Sequence, residues 1–321
     1  MSVLVFADHS EGKFKKTAFE IVSFGKHVAK QAETSLVVLT INAESTSVLS
    51  DFGADKILTV QDDRLKTFNA RAYADCIQQA VLKENANIIV VDSTNNGLYL
   101  APILAVKLEA GYASNVVDFP ASVTPFTVKR KVFSSKGFGL TEIATEHKLI
   151  GLAKNSVGII EHKVNSVEEA FSPSLNDEDF QITSDSIDKT TGKVTIADAD
   201  IVVSGGRGLK GPENWGMIEE LADVLGAATA CSKPVSDLGW RPHSEHVGQT
   251  GKPVTSNLYI AIGISGAIQH LAGVNSSKVK VVINSDPEAP FFKAADYGIV
   301  GDAFEVVPQL IEKLKEFKSS L

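Results

Sequence analysis

The residues with the clearest capacity for chemistry lie in one segment near the C-terminus, residues 258–273, which reads LYIAIGISGAIQHLAG. An apolar run typical of a buried strand turns there through Ile264, Ser265 and Gly266 into a helical pattern. Such a turn leaves backbone N–H groups unpaired at the positive end of a helix dipole. The segment therefore predicts a phosphate or diphosphate site. However, its spacing is not the G-x-G-x-x-G of nicotinamide dehydrogenases, and a purely structural turn explains it equally well.

A second glycine-rich turn follows the apolar residues 201–203 and reads SGGRG. Its Arg207 carries a planar cation that can grip a phosphate with two N–H groups, although a tight turn with a solvated arginine is the plain alternative. Further predicted strands end at Asn284 and near Asp302. Because open α/β sheets bind ligands beyond the carboxyl ends of their strands, we expect these polar residues along one ligand-binding edge.

Two other groups of reactive residue types do not support a site. His243 and His246 are three residues apart, but no third metal ligand is recognisable, and the neighbouring proline and glycine favour a loop. We therefore expect no metal site. Residues 8–10 contain Asp, His and Ser, the residue types of a hydrolase triad. Adjacent residues on one extended segment cannot form a proton relay, so this segment is interpreted as a loop.

The elements that must position these residues alternate between short apolar runs and helical patterns. In the first 110 residues the predicted strands are 3–7, 36–41, 56–60 and 87–91, and the predicted helices are 13–31, 67–84 and 98–109. Near-continuous apolar strands separated by helices indicate a parallel sheet covered on both faces. Residues 114–161 change to shorter runs such as 126–133 and 148–153, which predict hairpin-like strands at the edge of the same domain.

The chain divides in the segment 172–193, which is rich in Ser, Asp, Thr and Pro and lacks helical periodicity. Beyond it the alternation restarts with strands 199–204, 258–263 and 279–284, a helix over 214–225 and a closing helix. We predict an α/β fold of two domains, 1–190 and 191–321, each with a mainly parallel sheet flanked by helices. The length of 321 residues supports two domains, because single cores usually stop growing below that size. In the closing helix, an apolar stripe is expected to pack on the sheet: Phe304, Val307, Leu310, Ile311, Leu314 and Phe317.

Composition narrows the class of protein. A formal net charge of -8 argues against a nucleic-acid binder, which needs clustered positive charge. No apolar run approaches a membrane span, and the N-terminus has neither the basic and apolar stretches of a secretory signal nor the arginines of a transit peptide, so we expect a soluble, cytoplasmic protein. Cys76 and Cys231 form no C-x-x-C pair and are expected to be reduced core thiols.

Taken together, these motifs resemble the electron-transfer flavoprotein alpha family. The resemblance rests on residues 258–273, on VVIN at 281–284 with DPEAP at 286–290, on SGGRGL at 204–209, on VGQTG at 247–251 and on ADYGIV at 295–300. It is looser in the first domain but extends to the N-terminus. The resemblance implies an electron carrier rather than a self-contained enzyme, with a C-terminal FAD-binding domain of Rossmann-like fold.

The resemblance also implies where FAD binds. Ser265 and Gly266 are expected at the pyrophosphate, Thr250 at the flavin N5, and His270 near the pyrimidine carbonyl, where a cationic or hydrogen-bonding ring stabilises negative charge on the half-reduced flavin. The full expected set of cofactor-binding residues is Arg207, Ser232, Lys233, Val247, Gly248, Gln249, Thr250, Ser265, Gly266, Ala267, Ile268, Gln269, His270, Asn284, Asp302 and Ala303.

One residue departs from the family pattern. The family commonly has a Ser-Arg pair packed over the isoalloxazine, and this chain has Ser232 and Lys233 there. A lysine keeps the positive charge but loses the planar stacking surface. The flavin potential of other members therefore does not transfer directly to this chain.

The family resemblance finally implies partners. The first domain would pack on a beta subunit of similar fold, which would hold AMP and the docking loop for acyl-CoA dehydrogenases. Electrons would arrive from those dehydrogenases, as in fatty acid β-oxidation, and leave to a membrane-bound quinone oxidoreductase. Some members use a second FAD in the beta subunit to bifurcate electrons. Two other classes compete: a nicotinamide-dependent dehydrogenase, which lacks its fingerprint here, and a nucleotide-binding sensor, which leaves the C-terminal motifs unexplained.

Overall fold

The computed structural model describes residues 1–133, 135–182, 184, 186, 195–196 and 199–320. The chain forms two compact units, Met1–Phe133 with Gly137–Ile187, and Ser134–Lys136 with Asp188–Leu321. The predicted two-domain α/β organisation is confirmed. The boundary predicted between residues 190 and 191 lies outside the described residues.

The first unit is built around a large, mostly parallel sheet. Its strands are β1 (Ser2–Phe6), β2 (His9–Ser10), β3 (Lys13–Phe14), β4 (Ser35–Ile41), β5 (Lys56–Val60), β6 (Ala86–Asp92), β7 (Gly111–Val116), β8 (Ser122–Val123), β9 (Phe126–Val132), β10 (Gly137–Glu142), β11 (Lys148–Leu152) and β12 (Val167–Ala170). Its helices are α1 (Lys16–Gln31), α2 (Ala70–Glu84) and α3 (Asn95–Lys107). The order across the sheet is β10-β9-β7-β11-β6-β1-β4-β5-β12, with β8 paired to β9 and with β2 and β3 in a separate hairpin.

Helices cover both faces of this sheet, because its central strands are apolar on both sides. On β1, Val3 and Val5 pack with α1, whereas Leu4 and Phe6 belong to the core formed with α2 and α3. This two-sided burial is what a continuous apolar strand predicts. The edge hairpin of β9 and β10 is antiparallel, as expected.

The placement of residues 148–153 was predicted wrongly. Strand β11 is not part of an edge hairpin but runs parallel between β6 and β7, inside the sheet. Leu149, Ile150 and Leu152 are all buried, so both faces of the strand are covered. An apolar run of this kind is typical of a central strand.

The second unit repeats the architecture on a smaller scale. Its strands are β13 (Ile201–Gly205), β14 (Ala228–Cys231), β15 (Leu258–Ile262), β16 (Val279–Asn284) and β17 (Tyr297–Val300), and its helices are α4 (Gly216–Leu225), α5 (Lys233–Asp237), α6 (Ile268–Val274) and α7 (Ala303–Ser319). All strand pairs are parallel, in the order β14-β13-β15-β16-β17. Val307 and Ile311 of α7 pack with α4 on one face, as the apolar stripe predicts, but Phe317 is exposed because the helix continues past the core.

Both cysteines are free and buried, Cys76 in the first unit and Cys231 in the second. Burial raises the pKa of each thiol to about 12. The expectation of core thiols is therefore confirmed. None of the helices in the described part of the chain combines the length and hydrophobicity that a membrane span requires.

Candidate functional site

The predicted site residues gather at the carboxyl edge of the second sheet. Arg207 follows β13, Ser232 follows β14, Ser265 follows β15, Asn284 ends β16 and Asp302 follows β17. The chain passes from β13 to β14 on one side and later to β15 on the other side of β13. The carboxyl ends of β13 and β15 therefore form the topological switch point, where parallel sheets open a crevice for ligands.

At this switch point, the loops that follow β13 and β15 meet backbone to backbone. Gly206 N–H donates to the carbonyl oxygen of Ile262 at 2.8 Å, and Gly208 N–H donates to that of Gly263 at 3.0 Å. A Cβ on Gly206 would lie 2.1 Å from the Gly263 oxygen, and one on Gly208 would lie 2.7 Å from the Gly263 Cα. These glycines form the floor of the switch point, because a side chain at either of them would force the loops apart.

The turn after β15 offers unpaired donors to this crevice. In the described residues, no acceptor is within hydrogen-bonding range of the backbone N–H groups of Ser265, Gly266 and Ala267. Gly266 has φ +87°, and a Cβ there would lie 2.6 Å from the backbone nitrogen of Phe291. Helix α6 has only seven residues, so its dipole is weaker than the sequence pattern predicts. The free N–H groups rather than a long helix make this turn suitable for a diphosphate.

Two further predicted residues brace the same edge. Asn284 donates from Nδ2 to the carbonyl oxygen of Ile264 at 3.1 Å, which ties the end of β16 to the turn. Asp302 accepts the N–H of Phe304 and caps α7, so Ala303 begins that helix, and the Lys210 ammonium lies 3.9 Å from the Asp302 carboxylate. These contacts fix the carboxyl edge of the sheet within the protein itself, without a ligand.

The turn Val247–Gly251, called here the VGQTG turn, is fixed to two neighbouring elements. Val247 N–H donates to the Cys231 carbonyl at 3.0 Å, and Gln249 N–H donates to the Gln269 carbonyl at 2.7 Å. Gly273 of α6 packs so closely on the turn that a Cβ there would lie 2.6 Å from the backbone of Gly248. Gln249 and Thr250 are exposed at its tip. The turn therefore presents the Thr250 hydroxyl from a backbone whose flanks are anchored.

His270 lies behind this turn rather than on the surface. It is 7% exposed, and its Nε2 is 2.9 Å from the hydroxyl of Tyr259, which is completely buried. Burial lowers the pKa of His270 to about 4, helped by the nearby His246, and burial raises the pKa of Tyr259. The imidazole of His270 is consequently neutral at pH 7, and it is hydrogen-bonded to the Tyr259 hydroxyl, which stays protonated. Of the two predicted modes, it is equipped for hydrogen bonding rather than for supplying a positive charge.

Ser232 and Lys233 differ in burial, although they are adjacent. Ser232 is buried at the end of β14, whereas the Lys233 side chain is 59% exposed and its ammonium is 4.0 Å from the Asp237 carboxylate. An exposed pair at that distance contributes little to stability. The lysine is therefore free to reorient toward a bound ligand.

Two residues near the site were not predicted from the sequence. The guanidinium of Arg241 binds the Glu245 carboxylate with two N–H groups at 2.8 and 2.7 Å, bonds Glu219 of α4 at 3.1 Å, and lies over the ring of Trp215. It clamps the segment before the VGQTG turn onto α4. His246 is 1% exposed, and its ring is 5.2 Å from that of His243. The described residues contain no group of three metal-binding side chains around this pair.

In the first unit, Asp8, His9 and Ser10 form no relay. His9 Nε2 is 2.6 Å from the carbonyl oxygen of Ile41, and Asp8 accepts a hydrogen bond from Asn96 at 2.9 Å. His9 and Ser10 form strand β2 of a two-stranded hairpin with β3. The triad interpretation is thus rejected on geometry as well as on sequence.

Comparison with known proteins agrees with the resemblance to the electron-transfer flavoprotein alpha family over nearly the whole chain. A family model described as the electron transfer flavoprotein FAD-binding domain matches residues 195–275, and one described as the electron transfer flavoprotein domain matches residues 3–175. The chain is 37% identical to the electron transfer flavoprotein subunit alpha of Bacillus subtilis (strain 168), over 98% of this chain and 97% of that protein. It is 35% identical to the subunit of the same name from Syntrophomonas wolfei, over 97% and 98% respectively.

A third relative has a different name. The acryloyl-CoA reductase electron transfer subunit beta of Anaerotignum propionicum is 32% identical, over 99% of this chain and 96% of that protein. All these alignments run nearly end to end, so they cover both units and not only the C-terminal motifs. The chain therefore belongs to the alpha-subunit family of the electron transfer flavoproteins, which are electron carriers.

Proposed function

We propose that the second unit binds one FAD at its carboxyl edge, with the diphosphate on the free N–H groups of Ser265, Gly266 and Ala267. These three consecutive donors at the switch point carry the proposal, because unpaired backbone N–H groups beside a glycine floor suit a diphosphate better than any other ligand group. Arg207, exposed beside that floor, supplies the balancing charge.

The remaining residues orient the flavin. The Thr250 hydroxyl would donate to N5 from its anchored turn, and neutral His270 would bond near the pyrimidine carbonyl while Tyr259 fixes its ring. The remaining expected contacts with FAD come from Ser232, Lys233, Val247, Gly248, Gln249, Ile268, Gln269, Asn284, Asp302 and Ala303. FAD supplies the redox chemistry when bound. The chain's own residues bind it and set its hydrogen bonds, so we propose a carrier without substrate turnover of its own.

We further propose that the chain works as a heterodimer with a beta subunit, which packs on the first unit and holds AMP. Electrons would come from acyl-CoA dehydrogenases and pass to a quinone oxidoreductase. The relative named as an electron transfer subunit of an acryloyl-CoA reductase supports an acyl-CoA-linked redox partner. The domain boundary between 190 and 191 and a cytoplasmic location stay predictions.

The decisive experiment is the absorption spectrum and FAD content of this chain co-expressed with its beta subunit. One FAD per heterodimer is expected. Two FAD would indicate bifurcation instead, and a colourless complex would favour the nucleotide-sensor alternative.

Arg207→Ala tests where the diphosphate binds. We expect FAD affinity to fall by roughly 10- to 150-fold, because a charge-assisted hydrogen bond contributes roughly 1.5 to 3 kcal/mol. The charge-matched control is Lys278→Ala, since Lys278 is exposed beside the start of β16 at the opposite edge of the sheet. Equal affinities of the two variants, measured by flavin fluorescence, would place the diphosphate elsewhere.

A further inference from the structure

His246 has no role among the expected flavin contacts, yet it is one of the most buried polar residues of the second unit. It is 1% exposed and pairs through its backbone with Cys231 at the end of β14. Its carbonyl oxygen accepts the N–H of Lys252 at 2.8 Å and so closes the VGQTG turn at its base. The residue therefore lies directly under the segment that presents Gln249 and Thr250.

The imidazole of His246 packs against both glycines of that turn. A Cβ on Gly248 would lie 3.4 Å from the ring Nε2, and one on Gly251 would lie 3.0 Å from the ring Cγ. These glycines flank Gln249 and Thr250 in the sequence. A Cβ on Gly248 would still fit beside the ring in ordinary contact, so the ring supports the turn chiefly from the Gly251 side.

The surroundings of the ring favour its neutral form. In the described residues, the buried Nδ1 has no hydrogen-bond partner. Burial lowers the pKa of His246, and the nearby His243 and Lys233 lower it further, against the opposing charge of Asp237. From α6, His270 faces it as a second buried imidazole, and Glu245 on its other side is already paired with Arg241. A proton on His246 would therefore be a buried charge without an acceptor.

We propose that His246 is a positioning residue for the flavin: its neutral ring holds the VGQTG turn in the binding conformation, and its protonation releases the turn. This inference rests on the proposed FAD site. A buried imidazolium without a partner must move toward water. At Gly251 even a Cβ would come within 3.0 Å of the ring Cγ, so the turn lies against the ring there and loses this support when the ring moves. Proton binding at His246 and FAD binding then oppose each other, and the coupling is reciprocal.

The first test uses the unmodified heterodimer and NMR of its histidine ring protons, with the His246 signal assigned by its loss in His246→Gln. FAD is expected to lower the pKa of His246 by about one unit or more, which corresponds to a tenfold coupling. An unchanged pKa of His246 on FAD binding overturns the inference.

The second test compares FAD dissociation constants at pH 7.5 and pH 5.5 by flavin fluorescence. The unmodified protein is expected to bind about two- to fivefold more weakly at the lower pH, because only part of His246 is protonated there, whereas His246→Gln, which cannot be protonated, keeps a constant affinity. His162→Gln is the matched control, because its ring is exposed in the first unit and is not among the groups that shift the pKa of His246, and it should behave like the unmodified protein. His270 titrates near pH 4, below this window.

The outcomes separate this inference from the proposed function. If the unmodified heterodimer binds no FAD at pH 7.5, the proposed function fails and takes the inference with it. If FAD binds but the loss on acidification is the same in His246→Gln, only the inference fails. Tighter binding at pH 5.5 also overturns it, since His246 would then act as a cation that attracts the ligand.

Discussion

Thr250 sits at the exposed tip of a turn that is anchored through Val247 and Gln249. Replacing it with alanine should leave the turn and FAD binding intact, because its hydroxyl makes no hydrogen bond within the described part of the chain. The loss of one hydrogen bond to the flavin N5, roughly 1 to 2 kcal/mol, should shift the one-electron potential by roughly 40 to 80 mV.

Redox titration of Thr250→Ala measures that shift. Ser244→Ala is the matched control, because it removes an exposed hydroxyl from the same loop without an expected flavin contact. A potential that is the same in both variants would remove Thr250 from the N5 position.

The pH dependence of stability is governed partly by His270. Its pKa is about 4 in the folded protein and about 6.5 when unfolded, so the unfolded chain binds more protons between these values. Stability from this residue is complete above pH 6.5 and is lost as the pH falls toward 4, by up to roughly 3 kcal/mol.

Urea unfolding between pH 7.5 and 4.5 should show this loss in the unmodified chain and a smaller loss in His270→Gln. His243→Gln, whose ring is exposed, serves as the control. Parallel curves for the three proteins would mean that His270 is not buried as a neutral ring.

Sequence reasoning identified residue types at this scale but not their tertiary contacts. Arg207, Ser265 and Asn284 could be predicted because each follows an apolar strand, and strand ends converge at one edge. His246 and Arg241 could not be assigned from the sequence, because their burial depends on α4, α5 and α6 packing around one loop. The one feature of the sequence that pointed to these two residues was their position close to the VGQTG motif.

At the scale of elements, the turn after β15 depends on a glycine at position 266. An alanine there would have to adopt a left-handed conformation at φ +87° and would contact Phe291 N at 2.6 Å. Left-handed backbone alone costs roughly 1 to 2 kcal/mol, so Gly266→Ala should lower the melting temperature and disrupt FAD binding.

Gly216→Ala is the control for this change. A Cβ on Gly216 meets nothing within 4 Å, and the residue begins α4 with helical backbone. Alanine there should be neutral or stabilising by up to about 1 kcal/mol. If both variants retained FAD and melted together, the turn would not be the binding element.

Elements with strong periodicity were predicted best. Strands over 56–60 and 279–284 match β5 and β16 residue for residue, because β-branched runs bounded by polar residues leave few alternatives. Strand β14 was missed, since Ala-Thr-Ala-Cys has neither length nor pattern, and it forms only because β13 offers a free edge. The same dependence on neighbours explains why β11 was placed at the edge.

At the scale of the whole molecule, the two units should respond differently to FAD. A ligand that binds one unit stabilises that unit by about 2.7 kcal/mol when present at 100 times its dissociation constant. Hydrogen exchange of the heterodimer should therefore slow in peptides from β13, β15 and α6 on adding FAD. Peptides from β1, β4 and β6 should exchange unchanged, and equal protection of both groups would contradict a site confined to the second unit.

The chain's thiol chemistry has a practical consequence. Cys76 and Cys231 are buried, and their raised pKa values leave almost no thiolate at neutral pH. Maleimide dyes should therefore not react with the native protein. A cysteine introduced at an exposed position of each unit can be labelled without first removing the natural ones.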